Sequence, residues 1–160
     1  MTSKARFAAL CSTTPLLFVL VAGCATPYEA SRSGGGYSDF RVAKDVFAVS
    51  VRGNVATREE RVEKYVLRRA SELTLEHGFR YFVILSEKER TRSSSVGYSA
   101  VKIPLVFPGT SVWIRCFHDR PQDHGLPIDA AEFLGYNYPD ALEALQEAGT
   151  ASDKENTSEP

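Results

Sequence analysis

The sequence predicts an α+β fold, a two-layer sandwich in which one long helix packs on a four-stranded sheet. Apolar residues recur at helical spacing in one segment, and β-branched and aromatic residues form four short runs elsewhere. The 160 residues are 43% hydrophobic and 24% charged, an ordinary globular composition that excludes a disordered chain, a collagen-like repeat and a multi-pass membrane protein. The predicted order is β-α-β-β-β-α-α, within a domain spanning residues 40–149.

The long helix is predicted to begin at Thr57 and to run to His77. Its buried face is a stripe of apolar residues at spacings of three and four, and Gly78 supplies a left-handed C-cap. Thr57 and Glu60 form a Thr-x-x-Glu capping box, which satisfies two backbone donors at the start of a helix. The stripe consists of Val62, Val66, Ala70 and Leu73.

Four runs predict the strands, residues 46–51, 79–85, 98–107 and 112–117. The second run is almost continuously apolar, so we expect it to be central and covered by the helix. Residues 86–95 are polar and predict an exposed loop or a solvated extension of a strand.

The C-terminal third predicts two further helices and a tail. Asp129 and Glu132 indicate a short capped helix. Residues 139–148 form an amphipathic segment that Gly149 is expected to end. The tail, residues 150–160, has no large apolar residue and is therefore predicted to be disordered.

Residues 1–23 have the pattern of a secretory signal peptide. Lys4 and Arg6 precede an apolar stretch, residues 7–22, which is interrupted at residues 13–15. A membrane-spanning helix needs about 20 apolar residues, whereas a signal peptide needs only about 7–15. We therefore expect a cleaved signal rather than a permanent membrane span.

The end of this segment, Val21-Ala22-Gly23-Cys24, resembles the bacterial lipobox. Small residues let the extended backbone enter a peptidase cleft, and a thiol can form a thioether to diacylglycerol. The resemblance implies that Cys24 carries acyl chains, and two or three such chains make an effectively permanent anchor. Ala25, rather than an aspartate, suggests the outer membrane. The alternative is an ordinary signal peptide cut near Ala25, with an incidental cysteine.

Residues 24–39 are predicted to form a lipidated tether. The segment is rich in glycine and serine, and a flexible coil of this length has an end-to-end distance of about 20 Å. The alternative is that Tyr28 and Tyr37 dock on the domain.

A set of short motifs runs through the first half of the chain: residues 24–28 (CATPY), 35–38 (GGYS), 65–74 (YVLRRASELT) and 78–82 (GFRYF), with Phe47, Val49 and Gly53-Asn54 between them. Together they resemble a family of uncharacterised Gram-negative envelope lipoproteins. The resemblance covers about residues 17–85. It implies a lipid anchor and a small α+β domain, with no assigned activity.

The densest group of possible metal ligands follows the last predicted strand. Cys116, His118, Asp119, Asp123 and His124 offer a thiol, two imidazoles and two carboxylates, which suit Zn²⁺ or copper. Neighbouring strand residues point to opposite faces, however, and the spacing matches no known metal signature. The alternative is a solvated loop after a buried, inert strand cysteine, and we favour it.

Trp113, Arg115 and Phe117 alternate with the apolar face of the last predicted strand. If this second face is exposed, the aromatic residues and the arginine would form a binding patch. If the helix predicted from residue 139 covers it, they are core residues. The sequence favours the covered arrangement.

These observations predict a non-enzymatic, lipid-anchored envelope protein with a structural or protein-interaction role in the periplasm. The 19 basic and 20 acidic residues give no argument for nucleic-acid binding. The sequence has no Ser/His/Asp series, phosphate loop or paired-carboxylate motif, and no cofactor is predicted. The expected partners are the membrane, through Cys24, and an envelope protein. The alternative function is a metal- or redox-responsive envelope sensor that uses four of the possible ligands, Cys116, His118, Asp123 and His124.

Overall fold

The computed structural model describes residues 25–32, 35–96 and 103–156. Within these residues it contains three helices, a five-stranded antiparallel sheet and a two-stranded antiparallel sheet, so the predicted α+β class is confirmed. The strands are β1 Gly36–Ala43, β2 Val46–Arg52, β3 Tyr81–Glu89, β4 Arg92–Val96, β5 Ile103–Phe107, β6 Gly109–Phe117 and β7 Ile128–Asp129. The helices are α1 Glu59–Glu76, α2 Ala130–Asn137 and α3 Pro139–Asn156.

The larger sheet has the strand order β1-β2-β6-β3-β7, so β6 is its central strand. Helix α1 packs on one face, which we call the inner face, across β2, β6 and β3. Helices α2 and α3 pack against α1. The four-stranded prediction missed the two edge strands, β1 and β7, and it made β3 central although β3 lies next to the centre.

The core lies between α1 and the inner face. Phe47 pairs with Ile114 in the β2–β6 ladder, and Phe82 pairs with Cys116 in the β3–β6 ladder, so alternate residues of three strands point toward the helix. The predicted apolar stripe of α1 is confirmed as the surface that covers them. The buried cluster includes Phe47, Val49, Val51, Val62, Val66, Ala70, Leu73, Phe82, Val112, Ile114 and Cys116.

The start of α1 differs from the predicted capping box. The helix begins at Glu59, its N-cap residue is Arg58, and no side chain caps it. The Thr57 hydroxyl instead hydrogen-bonds to Thr26, 31 residues earlier in the chain. A buried tertiary contact has therefore replaced the local one that the sequence pattern suggested.

The end of α1 matches the prediction. Gly78 has φ +77°, in the left-handed region. Its N–H donates to the Leu75 carbonyl at 2.9 Å, and the Phe79 N–H donates to the Thr74 carbonyl at 2.9 Å. This pair of bonds is the Schellman motif, which satisfies carbonyls that the helix leaves unpaired.

The prediction of a flexible tether over residues 24–39 is wrong for the residues that the structure describes. Strand β1 begins at Gly36 and pairs with β2, so the domain starts before residue 40. Glu29 and Ser31 hydrogen-bond to the backbone of Tyr37. The glycines serve geometry rather than flexibility: Gly35 and Gly36 have φ +112° and +116°, where other residues are strained.

A long hairpin projects from the five-stranded sheet. Of the two alternatives predicted for residues 86–95, the structure has the solvated strand extension, because β3 continues to Glu89 and β4 follows. β4 pairs with β5, in a ladder that runs from Arg92–Phe107 to Val96–Ile103. The part of the predicted strand at residues 98–102 lies outside the described residues, and β5 covers only its second half.

The two C-terminal helices are present, but the last one is longer than predicted. Asp129 caps α2 as expected, and its Oδ1 accepts hydrogen bonds from the N–H groups of Ala131 and Glu132 at 3.1 and 3.2 Å. Helix α3 passes through Gly149 and ends at Asn156, so the prediction of a disordered tail is wrong for residues 150–156, and residues 157–160 lie outside the described residues. Extending an existing helix by one residue is far easier than nucleating one, so this segment needs no large apolar residue to stay helical.

Candidate functional site

The N-terminal segment, residues 25–32, is held on the domain by a group of hydroxyls. Thr26 is buried, and its N–H donates to Thr57 Oγ1 at 3.0 Å. The Thr57 hydroxyl donates to Thr26 Oγ1 at 2.9 Å, and the Asn54 N–H donates to the same oxygen at 2.8 Å. The segment therefore joins the domain beside the start of α1, and Cys24 is two residues from this buried contact.

Tyr28 fixes the segment against α1. Its ring lies 4.7 Å from the Tyr37 ring and 5.2 Å from the Tyr65 ring, measured between centroids. The Arg68 guanidinium lies 3.9 Å from the Tyr28 centroid, and the Tyr28 hydroxyl donates to the Glu72 carboxylate. Burial and this carboxylate raise the pKa of Tyr28 above its ordinary value. The structure thus has the docked arrangement, the alternative to a tether.

Arg69 connects α1 to β1. Its Nε lies 2.8 Å from Asp39 Oδ1, and one terminal nitrogen lies 2.8 Å from Glu76 Oε1 and 3.4 Å from Glu72 Oε2. Burial lowers the pKa of Arg69, but the hydrogen bonds that Arg69 donates to Asp39 and Glu76 raise it by more, so the net shift is upward. This arginine is engaged within the fold.

The predicted lipid attachment residue, Cys24, lies outside the described residues, as does the whole signal segment. Helices in the described ranges are all too short or too polar to cross a bilayer. Lipidation of Cys24 and the outer-membrane location remain predictions.

Cys116 and His118 are used within the fold. The Cys116 thiol is buried on the inner face, 3.5 Å from Thr74 Oγ1, and burial raises its pKa. His118 Nδ1 lies 3.1 Å from the Gly78 carbonyl oxygen, and the His118 ring packs on Phe79 with centroids 4.6 Å apart. The imidazole thus contacts the turn after α1 rather than the thiol.

The remaining predicted ligands point elsewhere. The His124 ring stacks on Phe117 at 5.5 Å, and Asp123 is exposed. Phe117 follows Cys116 on β6, so its side chain points to the opposite face of the sheet. Among the residues that the structure describes, no three His, Cys, Asp or Glu side chains are grouped so as to hold a metal ion.

The outer face of the sheet, away from α1, is where the structure departs most from the predicted core. The expectation that the last helix covers Trp113 is wrong, because α3 packs against α1 and α2 on the inner side. Trp113 is 43% exposed although it lies on the central strand. Arg115, two residues along, has its Nε 3.4 Å from Asp45 Oδ2, a contact between charges without hydrogen-bond geometry.

Phe40 extends this apolar surface to the edge of the sheet. It pairs with Ala48 in the β1–β2 ladder, and Ala48 pairs with Trp113 in the β2–β6 ladder. The three side chains therefore form one row across the outer face, and Phe40 is 61% exposed. We call Phe40, Trp113 and Arg115 together the open sheet face.

Sequence reasoning found Trp113 and Arg115 as a conditional patch but missed Phe40, which it placed just after the tether. Each face of β1 carries one aromatic and one polar residue, Tyr37 with Asp39 and Phe40 with Ser38, so no alternation of apolar and polar residues indicates this strand. Comparisons of the chain with protein-family models, with curated proteins and with solved structures give no match.

Proposed function

We propose that this chain is a lipid-anchored envelope protein with a protein-interaction role, and that the open sheet face is its binding surface. Acyl chains on Cys24, which the lipobox and family resemblances imply, would hold it in the membrane, and Ala25 after the cysteine favours the outer membrane with the domain in the periplasm. The observation that carries the interaction role is the exposure of Trp113 at the centre of the sheet.

The position of Trp113 favours a binding surface over an incidental surface residue. An antiparallel sheet that packs one face on the core normally presents polar side chains to water on the other face, and the inner face here is the packed one. The outer face instead presents tryptophan, phenylalanine and arginine, three residue types that are enriched at protein interfaces. A partner that covers this row would remove both aromatic side chains from water.

The contacts of the predicted ligands support a non-enzymatic role. A buried thiol with a raised pKa is a poor nucleophile, and His118 contacts a backbone carbonyl instead of Cys116. The sensor alternative needs Cys116, His118, Asp123 and His124 to converge, and these contacts give it no support.

The anchor is tested by the intact mass of the detergent-extracted, non-reduced mature protein. We expect a chain that starts at Cys24 and carries added acyl mass. A chain that starts at or beyond Ala25 without acyl mass would contradict the membrane anchor. It would not contradict the interaction role, which the crosslinking experiment below tests.

The open sheet face is tested by comparing Trp113→Ala with Tyr136→Ala in the acylated protein. Tyr136 is 89% exposed on α2, away from the sheet, so its substitution is a matched loss of an exposed aromatic residue. After chemical crosslinking in cells and purification, we expect Trp113→Ala to reduce the main crosslinked species at least tenfold and Tyr136→Ala to leave it unchanged. Equal yields from both variants would contradict the assignment.

A further inference from the structure

The edge of the sheet at β1 is open along most of its length. The N-terminal segment pairs with the beginning of this edge only, through the bridges Ala30–Tyr37 and Arg32–Gly35. Beyond Tyr37, no other part of the described chain pairs with β1 on the side away from β2. Such an edge is a template for an added strand.

The hydrogen bonds of Tyr37 show which backbone groups the open edge presents. The Tyr37 N–H donates to the Glu29 carbonyl at 2.9 Å, and its carbonyl accepts from the Ser31 N–H at 2.6 Å, so both groups point away from β2. Backbone direction alternates along a strand, so the N–H and C=O groups of Asp39 and Arg41 point to the same open side.

We propose that β1 pairs antiparallel with β1 of a second copy of this chain, around a twofold axis at Phe40. In this register Asp39 lies opposite Arg41 of the second copy, and each such pair exchanges both backbone hydrogen bonds. The result is one sheet that continues through both copies. This inference goes beyond the proposed function, since it holds whether or not Cys24 is acylated.

The charges on β1 select this register. Asp39 and Arg41 both lie on the inner face, because they pair with Val49 and Phe47 of β2. Twofold pairing at Phe40 sets Asp39 and Arg41 across from each other twice. Asp39 already contacts Arg69, and Arg41 already donates to the carbonyls of Ala43 and Lys44, so the pairing adds an opposite charge beside each group, and opposite charges across strands are stabilising. A slip by one pair in either direction would instead set Asp39 opposite Asp39, or Arg41 opposite Arg41, on the axis.

The apolar surface supports the same register. Phe40 would face its own counterpart as a non-hydrogen-bonded pair, the arrangement in which side chains approach most closely. Its exposed ring would be covered, and the row Phe40–Ala48–Trp113 would continue across the axis into the same row of the second copy. The dimer therefore enlarges the open sheet face as it closes the edge.

The opposite edge of the sheet is protected, which makes a closed pair rather than a fibre the expected assembly. β3 has a register irregularity between Ile84 and Ser86, and three consecutive charged residues, 87–89, follow it. Bulges and charged side chains are the usual means of preventing strand addition. β1 has an irregularity of its own, between Arg41 and Ala43, so the regular part of its open edge that can pair is the stretch from Asp39 to Arg41. Twofold pairing of β1 with β1 uses this edge in both copies, so the assembly closes as a dimer.

The test introduces single cysteines into the acylated full-length protein. Phe40→Cys places two thiols across the axis with Cα atoms about 4.5 Å apart, within disulfide range. Val42→Cys is the matched control: Val42 is exposed on the same strand, but its two copies would lie about 13 Å apart in this register. Wild-type protein, whose Cys116 is buried, gives the background.

Under mild oxidation we expect Phe40→Cys to form a covalent dimer, identified by the linked peptide, at least tenfold faster than Val42→Cys. Equal rates, or no dimer from either variant, would overturn the proposal.

Light scattering gives a second measurement. Arg41→Asp, which sets like charges across the axis, should raise the concentration needed for dimerisation at least tenfold, while Lys44→Asp should not. A monomer at all concentrations would also overturn the proposal. The intact mass measures the anchor independently of either result.

Discussion

Two consecutive residues of the central strand have opposite environments. Ile114 is fully buried against α1, whereas Trp113 is 43% exposed on the other side of the same backbone. The inner face is covered by α1, and the N-terminal segment closes one side of that helix through Thr26 and Tyr28. The outer face has no such cover in the described part of the chain. The domain therefore has two layers, the sheet and its helices, and no helix of the described chain packs on the outer face of the sheet.

The contrast separates residues that maintain the fold from residues that are available for binding. Side chains on the inner face already contribute their burial to stability, at about 25 cal/mol for each Å² of apolar surface removed from water. Phe40 and Trp113 still expose apolar surface. Substitutions on the inner face should therefore mainly lower the free energy of unfolding, and substitutions on the outer face should mainly weaken association with a partner.

The largest expected effect is on the inner face. Ile114→Ala should lower the free energy of unfolding by about 2–5 kcal/mol, because it leaves a cavity beneath α1. Trp113→Ala, one residue away, should lower it by less than Ile114→Ala does, because 43% of Trp113 is already exposed to water. Urea denaturation followed by circular dichroism measures both without relying on tryptophan fluorescence. Similar losses for the two variants would remove the distinction between the faces.

Gly36→Ala tests whether the docked N-terminal segment belongs to the inner layer. A Cβ at this position would lie 2.5 Å from the Glu29 carbonyl oxygen, and φ is +116°. We expect a loss of about 1–3 kcal/mol in the free energy of unfolding. Gly149→Ala is the control, because a Cβ there has no heavy atom within 4 Å and alanine favours a helix. A Gly36→Ala protein that unfolds like wild type would contradict the close packing of residues 29–31 on Gly36.

Tyr28→Phe should have a smaller effect, about 1 kcal/mol, because it removes one partly exposed hydrogen bond to Glu72. The sign of the pH dependence follows from the raised pKa of Tyr28. The folded state binds the phenolic proton more tightly than the unfolded state, so this contribution is complete below the ordinary pKa of 10.0 and falls as the pH rises above it. Wild type should therefore lose more stability than Tyr28→Phe between pH 9.5 and 11, a range set around that value. Parallel losses in thermal unfolding would argue against the contact.

Cys116 provides a test of the inner face that leaves the fold intact. Its thiol is buried and its pKa is raised, so alkylation of the native protein at pH 8 should be at least tenfold slower than in denaturant. Peptide mass spectrometry after timed iodoacetamide treatment measures the rate. Equal rates in the two conditions would mean that the inner face is open.

The smallest expected effect is that of zinc. The ligands proposed from sequence are divided between the two faces, so Zn²⁺ should leave the unfolding temperature within about 1 °C of the apo value, well inside the shift produced by a typical site. Calorimetric titration of wild type and of variants with His118→Ala and His124→Ala provides the control. Stoichiometric binding that both substitutions abolish would favour the sensor alternative.

The inner layer was largely predictable from the sequence, because its signals are local. The stripe from Val62 to Leu73 and the alternation of Val112, Ile114 and Cys116 each show one apolar face, and the structure confirms both. The Asp129 cap and the Gly78 C-cap are likewise contacts between near neighbours in the chain.

Strand β1 and the docked N-terminal segment, residues 25–32, could not be predicted from the sequence, because their positions depend on contacts with residues that are distant in the chain. β1 carries mixed polar and apolar residues on both faces, so its alternation is weak, and the preceding glycines suggest a linker. The Tyr28–Glu72 hydrogen bond spans 44 residues, and no local pattern announces it. Exposure of Trp113 depends on where α3 packs, which its amphipathic pattern does not specify.

The buried contact of Thr26 limits how far the folded domain can lie from a lipid anchor on Cys24. A chain of two residues extends about 7 Å at most, so acylation of Cys24 would leave the folded body resting on the headgroups, with almost no slack between them. A domain held this closely could not diffuse through the surrounding volume as a domain on a long tether does, and its orientation relative to the bilayer would be restricted. A partner would have to come to the membrane surface to be met.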